Sequence, residues 1–496
     1  MSGQEIGAIL IIALFMLIPL AMGAIAGKKS MPTTEDYFVQ GRGMGSVAVF
    51  FTVAATWWSA FAFMGSNSWF FLEGPLYWTA IAWNIFFGIL YFVIGKKVWY
   101  FGKHNNLITP KDFFLLHYGS ESLGNIVAII CLVFTLPYLQ IQLTGGAYLI
   151  EVASGGLIPY WLAALLFYLV IIIYVWSGGL RAVAWTDIFY GVLLFFGMVG
   201  AGLYIVNLPE VGGITAMFDF IEKTDPSKLT VNDNWMSWLS MFLITPIGSF
   251  MGPQLWTRMY AVKSHKLFNL MPFLLGFAAI AYVGSMLVGN AGNILTPDIA
   301  ETDKILPTVL YEYAPFIMAS LIIACGAAAA MSTANSQIHA MSAGYTVDFH
   351  KRYINKNLSE KQLVWVGRWT ILILSAVAYV MSLTIPGALV TIGLVALAGT
   401  AQIIVPTVGA LYWKRSTTTG AIAGLLVGVI SLCLFTFGVI SPPWVFALSG
   451  GGNLLSLILN AIVFVIVSLC TKPRPVEVVD KIQAQFDDFY DGKGFE

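Results

Sequence analysis

Ala329, Ser332, Thr333 and Ser336 recur at i, i+3, i+4 and i+7 within one apolar run, and so share a single face of a helix. Hydroxyl oxygens beside a backbone carbonyl form a neutral donor set that suits a hard monovalent cation, although the same small residues also line close helix contacts in membrane bundles. Asp187, in Val183-Ala184-Trp185-Thr186-Asp187, lies about two turns inside another apolar run. Ionisable groups at such depth are costly and by default mark an ion path, with Arg181 as the alternative, structural partner. Two further segments are built to interrupt a helix. One reads Ile244-Thr245-Pro246-Ile247-Gly248-Ser249-Phe250-Met251-Gly252-Pro253-Gln254, in which Pro246 and Pro253 each delete a helix donor and the glycines ease unusual dihedrals. The other is Ala54-Ala55-Thr56-Trp57-Trp58-Ser59-Ala60, a small and polar interruption of an apolar run. Backbone groups freed at a break can bind ions or substrate, which makes these segments the place to seek function, with a mere proline kink as the alternative reading of the first.

Only a membrane bundle can position these groups. With 58% hydrophobic and 10% charged residues over 496 positions, lipid solvates this chain where water would not. Thirteen apolar spans are expected, at 6–27, 46–71, 75–95, 123–149, 156–177, 182–207, 235–257, 268–291, 314–345, 364–384, 386–412, 418–440 and 444–470, each with the ~20 residues a bilayer requires. The first is read as a retained helix, since its head, Met1 to Glu5, is not basic and its apolar run is long. With the N-terminus outside, 22 of the 25 Lys and Arg residues fall on the inner side, and only Lys223, Lys228 and Lys304 fall outside. That separation satisfies the positive-inside rule and places the C-terminus in the cytoplasm. The tail from residue 471 to 496 is too short for a folded domain and is expected as a surface helix or a disordered segment.

Other functions fit poorly. Zero net charge and scattered Lys and Arg exclude a nucleic-acid partner. No nucleophile and base, metal-ligand cluster or phosphate loop lies at membrane depth, so neither an enzyme nor a cofactor is expected. Polar residues cluster near mid-depth rather than forming the continuous stripe of a channel. Cys131, Cys325, Cys433 and Cys470 sit in apolar runs without metal spacing and read as small buried hydrophobes.

Five spans separate the two interrupted segments, so they would hold equivalent places in two successive five-helix units, and an odd unit inverts its repeat. Ser332 and Trp58 lie roughly 20 and 18 Å from the inner ends of their spans, at one depth. Around these residues the chain resembles the sodium:solute symporter family, whose members transport proline, pantothenate, sialic acid and sugars. The resemblance rests on Tyr174 to Asp187 with Gly178-Gly179-Leu180, on Ala330-Met331-Ser332-Thr333, and on Ala410-Leu411 through Arg415 to Gly420-Ala421 and Gly424 to Gly428. It implies an all-α polytopic protein of leucine-transporter type. One helix with its loop (1–45) would precede a ten-helix, 5+5 inverted-repeat core (46–413), followed by two helices (414–470) and the tail (471–496).

The resemblance further implies sodium held by the carbonyls of Ala55, Trp58 and Ala329 and the hydroxyls of Ser332 and Thr333, with Asp187 assisting passage inward. Proline-transporting members have an aspartate where this chain has Trp57, which makes proline a poorer candidate. Trp57 and Trp58 would wall a bulky cavity in which an indole N–H donates to an anionic substrate, unless they merely pack against neighbouring helices. Further substrate contacts are expected from Ser59, Trp78, Tyr138, Gln142, Phe250 and Gln254, Tyr138 matching a substrate-contact position of proline-type members. No buried Lys or Arg is expected nearby, so a carboxylate would rely on amides at half-helix N-termini. His339 is expected to be structural. The function implied is sodium-coupled uptake of a monocarboxylate, a pantothenate-like acid or a neutral amino acid across the plasma membrane. Proton-coupled symport and a transporter-like sensor acting through a separate partner are the alternatives.

Overall fold

The computed structural model describes residues 3–28, 31, 33–231, 235–385, 387–440 and 452–494, which are helical with no strand among them. Lys29, Asp233 and the start of the thirteenth expected span lie outside the described residues. Ten helical runs among these residues are long and apolar enough to cross a membrane, and Ser46–Trp57, Tyr160–Ile173 and Trp235–Met251 are shorter apolar helices.

In chain order, α1 (Gly3–Gly27) leads through a short α2 (Thr34–Val39) to α3 (Ser46–Trp57), which stops at mid-bundle; a π turn, Phe61–Gly65, then starts α4 (Ser66–Glu73). The chain reverses at Gly74, whose φ of 50° favours glycine and whose missing Cβ would lie 2.1 Å from the Lys228 carbonyl oxygen. The helices α5 (Thr79–Leu90), α6 (Lys96–His104), α7 (Pro110–Tyr118) and α8 (Glu121–Ala153) follow. The long α9 (Tyr160–Val206) holds two expected spans, separated at Gly179 by φ 54° and ψ −153°. A Cβ at Gly179 would press on Tyr37, so the break and the seat of α2 are one feature.

After the surface helix α10 (Gly213–Thr224), α11 (Trp235–Met251) contains Pro246 without stopping, and the helix breaks only at Gly252, where α12 (Pro253–Ala261) begins. There follow α13 (Met271–Ala278), α14 (Ile280–Leu295), α15 (Ile305–Tyr313), α16 (Phe316–Ala343) and α17 (Glu360–Thr384). The chain ends with α18 (Leu389–Ala401), α19 (Ile404–Tyr412), the paired α20 (Thr418–Thr436) and α21 (Asn453–Cys470), and α22 (Val476–Tyr490).

α16 is buried at every position from Ile322 to Ala343, so it forms the axis of the bundle. Around it pack α1, α3, α8, α9, α12 and α17. The loops segregate to two ends. At one, Arg42 donates to the carbonyls of Leu107 (3.0 Å) and Tyr260 (3.4 Å), Arg352 pairs with Asp112 and Glu121 at 2.8 Å each, and Lys97 meets Tyr490. At the other, Lys228 bonds Asn293 and Lys304 pairs with Glu151 at 2.9 Å and Glu301 at 3.2 Å. Lys304 carries a raised pKa: burial alone would lower it, and the bonds to the two glutamates outweigh burial.

Candidate ion and solute site

α3 ends where Trp58 adopts φ −82° and ψ 75°. The amides that would continue the helix are turned aside: Ser59 N–H donates to the Trp57 carbonyl (3.1 Å) and Ala60 N–H to Gln142 Oε1 (2.9 Å). The carbonyls of Ala55 and Thr56 therefore lose their helical donors. Across from them on α16, Thr333 Oγ1 lies 3.1 Å from the Thr56 carbonyl oxygen and 3.5 Å from that of Ala55. One turn away, the Ser336 hydroxyl donates to the Ser332 carbonyl at 2.7 Å and lies 3.3 Å from Thr56 Oγ1.

Ser332 donates its hydroxyl to Asp187 Oδ1 at 2.6 Å. That donation polarises the serine oxygen and leaves its lone pairs for a cation. Asp187 Oδ2 accepts from the Thr52 hydroxyl and stands 3.3 Å from Nη2 of Arg258, with both charged side chains fully buried. Arg258 also donates through Nε to Thr52 (2.8 Å), through Nη1 to the Gln254 carbonyl (2.7 Å), and through Nη2 to Ser336. Every branch of this buried pair is hydrogen-bonded, the condition under which such a pair is tolerated.

Two sequence expectations change here. Arg181 is not the partner of Asp187 but pairs with Asp36 at 2.6 Å. A buried arginine does lie beside the site: Arg258 falls just past the expected seventh span, but α12 carries it one helical turn beyond Gln254 and inward. The i, i+4 spacing from Gln254 on a helix resumed after Gly252-Pro253 was the available signal. His339 is buried, its Nε2 2.9 Å from the Tyr37 carbonyl oxygen and its ring against Tyr37 and Phe38.

The aromatic side divides the adjacent tryptophans. Trp57 gives its indole N–H to Asn84 Oδ1 (2.7 Å) and stacks on Phe87 with centroids 4.2 Å apart, so it packs the third span rather than presenting a free donor. Trp58 leans on Phe195, is 2% exposed, and keeps an indole N–H with no partner among the described residues. Gln254 Oε1 is likewise buried and unpartnered, and Phe250 packs edge-on to Tyr91 at 5.0 Å. Ser59 Oγ is 3.2 Å from the Tyr138 hydroxyl and accepts the Phe61 amide at 3.1 Å. A carboxylate would have relied on amides at a half-helix N-terminus, and at this one the amides of Ala60 and Phe61 are capped by Gln142 and Ser59. Trp83, missed in the sequence, is fully buried between Trp57, Phe61, Tyr77 and Tyr282. Trp78 does not reach this group: it is 38% exposed and edge-on to Phe218 of α10.

The sodium:solute symporter family model matches residues 37–428, which takes in the break, Asp187, Arg258 and the hydroxyl face of α16. The chain belongs to the sodium:solute symporter family. Among its relatives, the sodium/pantothenate symporter of Haemophilus influenzae is 27% identical over 469 residues, covering 88% of this chain and 93% of that protein. The sodium/proline symporter of the same organism is 28% identical over 422 residues, covering 80% and 82%. The fold is that of a Na+-coupled sialic acid symporter solved in a substrate-bound outward-open state, with a TM-score of 0.79 at 19% identity, over 94% of this chain and 98% of that one. This symporter is therefore a multi-pass plasma-membrane transporter and not an enzyme, and its family supports sodium as the coupling ion.

Proposed function

We propose that this symporter carries a small organic solute into the cell with sodium by alternating access, the ion lying between the break in α3 and the hydroxyl face of α16. The observation that carries the reading is the meeting of the freed Ala55 and Thr56 carbonyls with Thr333, next to a Ser332 already bonded to Asp187. The carbonyls of Trp58 and Ala329 complete the proposed sodium shell, and Asp187 receives the ion on its way inward. The arrangement of neutral oxygens suits sodium, with the carboxylate held one ligand away.

Thirteen crossings, a 5+5 inverted core at 46–413, an outer N-terminus and an inner C-terminus belong to the same reading. They are supported by the gathering of the Lys- and Arg-rich loops at one end of the bundle. The aromatic enclosure around Trp58, Trp83 and Phe250, with the unpartnered Trp58 N–H and Gln254 Oε1, favours a solute with an apolar body and a few polar atoms. A monocarboxylate, a pantothenate-like acid or a neutral amino acid meets that description, and named relatives act on pantothenate and proline. One coupled sodium gains ~2.3 kcal/mol per 100 mV, roughly 40-fold accumulation at 1.4 kcal/mol per decade.

The test is counterflow and uptake of a labelled panel of these solutes into proteoliposomes under an inward sodium gradient, with potassium and proton gradients as controls. Sodium-dependent uptake that disappears in Thr333→Ala supports the reading. Uptake driven by protons alone would replace sodium by H+, and solute binding with no flux would make the protein a sensor.

A further inference from the structure

At the Lys- and Arg-rich end, the chain returns to the core as α22 after passing through Arg474, and this helix is docked rather than loose. Phe486 packs edge-on to Phe101 at 5.0 Å and Phe489 to Tyr100 at 5.3 Å, while Gln485 and Asn105 exchange amide bonds of 3.0 Å each. Between α22 and the end of α19 lies a cavity of about 290 Å³, bordered by Tyr412, Lys414, Arg474, Gln483, Phe486 and Tyr490. That volume is at the small end for organic-ligand sites, enough for a compact molecule bearing one charged group.

The charges around it do not balance. Arg474 is 6% exposed and bonds only neutral oxygens, the carbonyls of His117 (3.0 Å) and Lys414 (3.4 Å), with its guanidinium over the Tyr118 ring at 5.3 Å. Its Nε–H has no partner, and Arg474 forms no ion pair among the described residues. Behind Tyr412 and Tyr490 stands Lys97, also 6% exposed. It donates to the Tyr490 hydroxyl at 2.9 Å and lies 3.8 Å from the Tyr412 ring centroid, again with no ion pair among the described residues. Lys414 adds a third, exposed cation. Among the described residues no carboxylate lines the cavity: Glu477, Asp480 and Asp487 are exposed, Asp487 accepts from the Gln483 amide at 2.9 Å, and Asp488 pairs with Lys493 at 3.4 Å. Buried cations without counter-charge are costly, and aromatic rings and carbonyls offset only part of that cost.

We propose that this cavity binds a phosphate-bearing anion, held by Arg474 and Lys414 with its organic part against Tyr412 and Phe486, and that the bound anion fastens α22 to the core. Arginine's planar fork matches phosphate oxygens, and an accessible lysine beside it supplies a second charge. A soluble phosphate monoester and a phospholipid headgroup share this chemistry. That either would come from the cytoplasm rests on the orientation proposed above; the binding itself does not.

The experiment takes the full-length protein in neutral detergent with glycerol 3-phosphate against glycerol plus chloride at matched ionic strength. A second arm uses nanodiscs of phosphatidylglycerol against phosphatidylcholine. The melting midpoint and the hydrogen-exchange protection of Val476–Tyr490 are read for wild type, Arg474→Gln and Lys414→Gln. The expected result is a rise of about 2 °C or more with added protection of α22, lost in Arg474→Gln and reduced in Lys414→Gln. A rise in the first arm assigns a soluble phosphate, and a rise in the second alone assigns a lipid headgroup. Should Arg474→Gln not fold, Lys414→Gln, which alters an exposed side chain, carries the test. Midpoints that ignore both phosphate sources, or that rise equally in wild type and Lys414→Gln, overturn the proposal. Because nothing is transported in this assay, its failure leaves the transport reading untouched.

Discussion

The two interrupted helices differ in what they do with the groups a break sets free. At Trp58 the amides of Ser59, Ala60 and Phe61 are all taken by neutral oxygens, of Trp57, Gln142 and Ser59. The positive end of the resumed helix is therefore closed, and the freed carbonyls of Ala55 and Thr56 face the Thr333 hydroxyl. At Gly252 the resumed helix contributes a full charge, Arg258, tied back to the Gln254 carbonyl and across to Asp187. A neutral cap can persist whatever ion is present. A buried guanidinium and carboxylate separate only when another cation takes the carboxylate, because each left alone pays its full desolvation. One break fixes geometry, and the other sets the charge balance.

That contrast is broken most forcefully at the charged end. Arg258→Gln leaves Asp187 buried without a counter-charge and is expected to cost about 3–5 kcal/mol, read as a lowered thermal midpoint of the purified protein. Asp187→Asn with Arg258→Gln removes both charges and is expected to recover most of that loss while sodium-driven uptake stays abolished. A double variant no more stable than the single one would show that the two charges are not coupled. Next in size is the ion itself. Sodium at 100 times its dissociation constant is expected to stabilise the protein by about 2.7 kcal/mol, measured as a midpoint in sodium chloride against choline chloride. Thr333→Ala removes an oxygen of the proposed shell and Ser332→Ala another, so each is expected to flatten this response. A full sodium response in both variants would move the ion away from α16.

How much of this could be read from the sequence depended on whether a residue's surroundings are local. The break at Trp58 was legible because Thr56, Ser59 and the two tryptophans interrupt an apolar run within a few positions. At the second break Gly252-Pro253 was legible, but Pro246 was misleading: α11 continues through it, as membrane helices can when neighbours satisfy the freed carbonyl. The hydroxyl face of α16 followed from period alone. Arg258 did not, because charge patterning assigns an arginine at the end of a span to the inner surface, and only the reach of α12 past Thr257 carries it inward. Asp36, the true partner of Arg181, lies 145 residues away in sequence, on a helix seated by the Gly179 break. The docking of α22 was hidden for the same reason, since its anchors Lys97, Phe101 and Asn105 lie on α6 and its C-cap, just past the third span.

The neutral break gives the smaller effects. Gln142→Ala leaves the buried Ala60 amide without an acceptor, and an unsatisfied buried donor costs about 1–3 kcal/mol. Its thermal midpoint is expected to fall while the sodium-induced rise survives, because the carbonyls facing Thr333 are untouched. Loss of the sodium response in Gln142→Ala would mean that the cap and the ion site are one unit. Smallest of all is the expected difference between the adjacent tryptophans. Trp57→Phe removes the donor to Asn84 and lowers stability by about 1–2 kcal/mol, leaving the relative uptake of different solutes unchanged. Trp58→Phe removes an indole N–H that has no partner among the described residues, so stability is expected to hold while KM for the transported solute rises. Uptake competition over a panel of acids and neutral amino acids separates the two variants. If Trp57→Phe rather than Trp58→Phe shifts the preference among solutes, the solute lies against the third span and the Asn84 bond is part of its site.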